Sequence, residues 1–166
     1  AILSAANSLT KQTCSYNGSA RTIDVSNETA VAFTQALMQK YIDYFASKGC
    51  KLFNMGADEY ANDIYTKGSM GFGNLQSEKK YGYFVKYVNK MADMIKAAGM
   101  KPGIWFEIDN IGSAAKAYHN TEHQLKRDGY PITTYSRRFW DMTDPWVTEY
   151  LTEKVIKTLN TYGFEY

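Results

Sequence analysis

Two cysteines in 166 residues, Cys14 and Cys50, are too few for the disulfide framework of a small secreted scaffold. Charge of one sign is also missing. The 19 Lys and Arg stand against 17 Asp and Glu, and a net charge of +2 is far from the basic surplus of a nucleic-acid protein. No apolar run approaches the ~20 residues that a membrane-spanning helix needs. The opening Ala1-Ile2-Leu3-Ser4 lacks the basic region and apolar stretch of a secretory leader. The mature chain of a secreted protein would look the same, so no compartment follows. Nucleic acid and membrane are therefore not expected partners. What remains is a chain with 45% apolar and 22% charged residues, enough to build the core of a globular domain. Its excess is in tyrosine, 14 residues beside 8 Phe and 3 Trp. Two uses of these rings stay open: packing in the core and at its edge, or ring faces that stack on sugars.

Three times a helical pattern is followed by glycine and the start of a strand. Phe33, Leu37, Tyr41 and Phe45 mark a helix from Glu28 to Lys48, capped by Ser26 or Asn27 and closed by Gly49. A strand over Cys50–Met55 comes next. Phe84, Tyr87, Val88, Met91 and Ile95 mark a second helix from about Tyr83 to Ala98, closed by Gly99 and followed by a strand over Lys101–Asp109. Asp144-Pro145 starts a third helix with stripe Val147, Leu151, Val155 and Leu159. Gly163 closes it, and Phe164-Glu165-Tyr166 reads as the first residues of a further strand. Residues 1–23 add one short strand at most. Residues 63–82 read as a long loop, and residues 113–127 as a short helix before a turn at Asp128-Gly129-Tyr130-Pro131. The alternation gives an α/β chain of parallel βα units. A whole (β/α)₈ barrel takes about 250 residues, so the chain reads as a single half-barrel domain. Its open sheet edges invite completion by a second copy, as a homodimer or larger homo-oligomer.

Carboxylates follow both strands. Asp58 and Glu59 lie directly after the first, where Gly56 allows the chain to leave extended geometry so that the two can act together. Paired carboxylates at the carboxyl end of a barrel strand suit glycoside hydrolysis: one protonates the leaving oxygen, and the other stabilises positive charge at the sugar carbon. An exposed acidic loop would read the same way. In the second strand, alternation puts Trp105, Glu107 and Asp109 on one face, either as a sugar platform or with a carboxylate ion-paired to Lys or Arg. Trp140 and Asp141, just before the Asp144 cap, are further candidates for sugar binding. His119 and His123 have i, i+4 spacing without a third ligand, so neither a metal nor any other cofactor is expected.

Two resemblances attach to these motifs. Residues 23–101 resemble family-20 glycoside hydrolases, the β-N-acetylhexosaminidases, through Tyr41-Ile42-Asp43-Tyr44-Phe45, Lys51-Leu52-Phe53-Asn54-Met55-Gly56 and above all Asp58-Glu59-Tyr60-Ala61-Asn62-Asp63. The family usually has two glycines where Gly56-Ala57 stands. The resemblance implies that Glu59 is the general acid/base and that Asp58 orients the substrate's own acetamido group, which acts as nucleophile. Residues 99–166 resemble family-36 α-galactosidases through Gly103-Ile104-Trp105-Phe106-Glu107, Arg127-Asp128-Gly129-Tyr130-Pro131 and the run from Arg137 to Val147. In that family the nucleophilic Asp lies on the strand that would follow Tyr166. The chain thus reads as a family-20-like part, residues 1–100, joined to a family-36-like part, residues 101–166, by natural recombination, in a metagenomic fragment or by design. The expected activity is hydrolysis of terminal hexosaminides or galactosides, with a carbohydrate as the substrate. The alternative is a non-catalytic, self-associating half-barrel.

Overall fold

A computed structural model describes residues 2–66 and 68–165. The chain gathers into two compact units, divided between Trp105 and Phe106.

The first unit is α/β. Helix α1 (Ile2–Thr10) lies where a short strand was expected. It turns Leu3 and Ala6 inward, and Ala6 meets Cys14 and Ala30. Of the expected strand, a single bridge between Ser15 and Ile23 remains. Helix α2 (Glu28–Ser47) starts at Asn27, whose side chain accepts the amides of Thr29 and Ala30. Gly49, at φ +77°, takes the left-handed position after its end. Its buried residues are Ala30, Thr34 and Ile42, while Tyr41 and Phe45 of the expected stripe are exposed. Three short elements fill the expected loop: strands β2 (Tyr65–Thr66) and β3 (Ser69–Met70), then helix α3 (Phe72–Ser77). Buried Asn74 fastens them, donating to the Ile64 carbonyl and accepting from the Thr66 hydroxyl.

Helix α4 (Tyr81–Ala97) buries Val88, Met91, Ala92 and Ile95, close to the expected stripe. Strands β1 (Leu52–Asn54) and β4 (Lys101–Gly103) pair in parallel, with Leu52 opposite Lys101. Ile42, Ile95 and Met100 pack with Phe53 and Met55 to join the helices to this strand pair. A second core holds Tyr16, Val25, Tyr60, Ala61 and Leu75.

The expected strand over Lys101–Asp109 stops at Gly103, and the reason lies across the ladder. The last parallel contacts are Met55 N to Gly103 O at 3.0 Å and Trp105 N to Gly56 O at 3.1 Å. Gly56 and Ala57 then turn to φ +71° and +64°, so the chain leaves extended geometry and offers β4 no further partner. The alternation that put Trp105, Glu107 and Asp109 on one strand face therefore does not apply.

The second unit carries an antiparallel sheet instead of another parallel strand. It is ordered β5 (Asn110–Gly112), β9 (Arg137–Phe139), β8 (Thr133–Thr134). Where a helix was expected over 113–127 there is a one-turn 3₁₀ segment, Lys116–His119, followed by the hairpin of β6 (Lys126–Arg127) and β7 (Tyr130–Pro131). Asp128 and Gly129 make its turn, both at positive φ. Helix α5 (Pro145–Leu151) runs through a π-turn segment, Thr152–Ile156, into α6 (Lys157–Thr161). Gly163 again has positive φ, Phe164 and Glu165 are not in a strand, and Tyr166 lies outside the described residues. Ile111, Trp140, Val147 and Leu151 form the core of this unit.

Asp144 caps α5 as expected, accepting the Trp146 amide at 2.9 Å, and its other oxygen lies 2.7 Å from His123 Nδ1. The bond from His123, then the Trp146 amide, hold its carboxyl below the ordinary aspartate value against a smaller opposing effect of burial. A carboxyl with a depressed folded-state pKa stabilises the fold above the unfolded value and loses that contribution as pH falls through the folded one. At Asp63 and Glu78 burial is the largest single effect and pushes the carboxyl up, but their hydrogen bonds and neighbouring cations together outweigh it and hold the carboxyl down. The melting temperature is expected to fall as pH drops below about 4, the ordinary aspartate range. Asp144→Ala should lower it at neutral pH and flatten the acid slope; equal acid slopes in the two proteins would contradict this.

Candidate functional site

Asp58 and Glu59 lie in the loop that leaves β1, and both are exposed. The backbone here is unusual. Ala57, Glu59 and Ala61 take φ of +64°, +47° and +52°, a left-handed conformation that is costly for residues with a side chain. Three such residues around one carboxylate pair mark the kind of place where strain is kept for function. The loop is anchored at its base. The Asn54 side chain accepts the Gly56 amide at 2.8 Å, and the Tyr60 hydroxyl donates to the Ile23 carbonyl at 2.9 Å. At its far end, Gly71 donates to the Ala61 carbonyl and has φ +58°. A Cβ there would collide with the Asn62 carboxamide and lie 3.0 Å from the Tyr60 carbonyl, so glycine is required.

Both carboxylates line a cleft of about 320 Å³. Tyr60, Phe84 and Tyr87 give it aromatic lining, and Met55, Ala57 and Arg21 line it too. Tyr60 is 6% exposed, and its ring meets Phe84 edge-on at 5.3 Å and Tyr16 at 5.4 Å. Burial pushes the phenols of Tyr60 and Tyr87 up, so both remain protonated near neutral pH. A carboxylate pair beside aromatic faces and a guanidinium can hold a polyhydroxylated ring and pass it a proton. A larger groove of about 700 Å³ runs between α2 and α4. It contains neither member of the Asp58–Glu59 pair.

The other residues singled out in the sequence sit as follows. Trp105 is 51% exposed at the end of the first unit. Glu107 and Asp109 belong to the second unit, where Glu107 pairs with Arg137 at 3.2 Å, the ion-paired arrangement left open in the sequence. Trp140 is 7% exposed and committed to the core with Val147 and Leu151. The Asp141 carboxylate accepts the amide and hydroxyl of Thr143, at 3.0 and 2.6 Å, in the turn before α5. His119 and His123 share no helix. The His123 ring instead stacks on Trp146 at 3.8 Å. Among the described residues, no group of three or more His, Cys, Asp or Glu side chains is placed to hold a metal ion.

The sequence reading missed two parts of this site. One is the aromatic lining, hinted at only by the tyrosine count. The other is the clamp of Asp63 on Ser19 and Ala20, which joins positions more than 40 residues apart.

Residues 2–144 match the glycosyl hydrolase family 20 catalytic domain, a span that extends the family-20 resemblance of 23–101 in both directions. A structure of the pneumococcal virulence factor StrH, concerned with N-glycan recognition and hydrolysis, is 42% identical over 50% of this chain and 19% of that one, with a TM-score of 0.45. Another, of the tandem catalytic modules of the pneumococcal exo-β-D-N-acetylglucosaminidase StrH, is 43% identical over 50% and 20%, with a TM-score of 0.45. An α-galactosidase from Thermus thermophilus is 16% identical over 80% of this chain and 26% of its own, with a TM-score of 0.47. The chain thus spans about a fifth to a quarter of the length of these structures.

Proposed function

Since the chain belongs to glycosyl hydrolase family 20, we propose that it hydrolyses terminal N-acetyl-β-hexosaminides, with Glu59 as general acid/base and Asp58 as the partner of the substrate's acetamido group. The observation that carries this reading is the Asp58–Glu59 pair itself, held in a strained loop after β1 and lining a cleft with aromatic side chains. Glu59 gives its proton to the leaving glycosidic oxygen. The acetamido carbonyl oxygen of the sugar attacks the anomeric carbon from the other side, and the bond to the leaving oxygen breaks. Asp58 accepts the hydrogen bond of the acetamido N–H and stabilises the positive charge that develops on the cyclised group. Glu59, now a carboxylate, takes a proton from the water that opens this intermediate.

Asp58→Asn tests the division of labour. It is expected to lower kcat on an N-acetyl-β-hexosaminide by roughly 10²-fold, the scale of one lost charge-stabilising contact. A β-hexoside with a hydroxyl in place of the acetamido group should be much less affected. An equal loss on both would mean that Asp58 does not serve the acetamido group.

The catalytic face is proposed to be completed by self-association. Among the described residues the one parallel pair, β1–β4, cannot close a barrel by itself. Exposed Tyr44, Phe45 and Leu52 beside β1 would be covered by further structure. Sedimentation at micromolar concentration is expected to show a dimer or larger species; the 18.9 kDa monomer alone would contradict it.

A further inference from the structure

We infer that Asp63 is the positioning residue of the acid/base loop, tying residues 19–21 to it and so holding Glu59 in its left-handed conformation. This rests on the role proposed for Glu59.

The Asp63 carboxylate accepts the Ser19 hydroxyl at 2.9 and 3.0 Å, accepts the Ala20 amide at 3.0 Å, and lies 3.9 Å from Arg21 Nε. Ser19 is itself buried, and its oxygen accepts the amides of Arg21 and Thr22 at 3.2 and 2.9 Å. The lacing continues along both segments. Thr22 Oγ1 accepts the Ala61 amide at 3.2 Å, and the Ile23 carbonyl accepts the Tyr60 hydroxyl. Among the described residues, the Glu59 carbonyl accepts the Asn62 amide at 3.5 Å, longer than the 2.9–3.0 Å bonds that Asp63 accepts. Left-handed residues with side chains persist only where their surroundings over-determine them. Asn54 and Gly71 supply part of that restraint, and residues 19–23 supply the rest, with Asp63 making the largest share of the bonds to them. Asp63 also faces Arg21, which lines the same cleft as Glu59. The hydrogen bonds keep the Asp63 carboxyl ionised below the ordinary aspartate value, although burial opposes them.

The test compares Asp63→Ala and Asp63→Asn with the wild type in two measurements: amide exchange over residues 57–63, and kcat and KM on a chromogenic N-acetyl-β-hexosaminide. Asp63→Ala is expected to speed exchange in the loop about 10-fold while leaving α4 unchanged, as a local opening does. It should lower kcat about 10-fold with KM within about twofold, the sign of a group misplaced in the transition state. Asp63→Asn keeps the shape and one acceptor, and should recover part of both effects. Unchanged loop exchange in Asp63→Ala overturns the inference, whatever the activity. Faster exchange in α4 and the loop alike also overturns it, since the role would then be general stability. If Asp63→Ala does not fold, Ser19→Ala removes the same clamp from the other side and is read by the same criteria. A wild type with no hydrolysis of the substrate overturns the proposed function instead, and loop exchange alone then decides whether Asp63 holds the loop.

Discussion

Glu59→Gln is expected to lower kcat on an N-acetyl-β-hexosaminide by roughly 10²-fold or more, the usual scale for removing a general acid. The amide keeps the shape of the side chain and cannot give up a proton to the leaving oxygen. The loss should therefore depend on the leaving group, being largest for a sugar or alkyl aglycone and smaller for nitrophenolate, which departs without help. The fold should be unchanged, because Glu59 is exposed and only its backbone is strained. Steady-state kinetics with two aglycones, together with thermal melting, check both parts. An active enzyme with undiminished rate after Glu59→Gln would place the chemistry elsewhere.

Tyr60→Ala is expected to cost about 3–5 kcal/mol of stability, the range for removing a large buried ring. Tyr60 is the neighbour of Glu59 and the centre of the aromatic core. It meets Tyr16, Phe72 and Phe84, and its hydroxyl donates to the Ile23 carbonyl. Tyr60→Phe keeps the ring and loses that hydrogen bond together with the longer one its hydroxyl accepts from the Val25 amide at 3.5 Å, so its cost should be about 0.5–1.5 kcal/mol. Equilibrium denaturation measures both. Equal costs for the two variants would show that the hydroxyl, and not the ring, anchors the loop.

Where the sequence was legible, local chemistry was decisive. Asn27 at the start of α2, Gly49 and Gly99 after α2 and α4, and the Asp144-Pro145 cap all act through bonds spanning four residues or fewer, which a linear pattern records. The Asp58–Glu59 pair was legible for the same reason, as a short motif after a strand. The extent of β4 was not, because it depends on its partner: Gly56 and Ala57 turn away on another segment, and the ladder ends with them. The antiparallel sheet of the second unit was missed because Arg137-Arg138-Phe139 has no alternating apolar face to announce a strand. Helix α2 shows a subtler failure. Its apolar positions form a fair stripe, yet Tyr41 and Phe45 are exposed while small Ala30 and Thr34 are buried, Ala30 against Ala6 and Cys14. The clamp of Asp63 on Ser19 had no sequence signal at all, since neither residue is unusual at its own position.

The proposed mechanism makes catalysis depend on the acetamido group of the substrate. It is tested most directly by giving the wild-type protein three nitrophenyl glycosides that differ only at the sugar: N-acetyl-β-glucosaminide, β-glucoside and α-galactoside. Hydrolysis of the first is expected, with a kcat/KM at least about 10²-fold above the second and no turnover of the third. Comparable rates on the first two, or turnover of the galactoside alone, would contradict it.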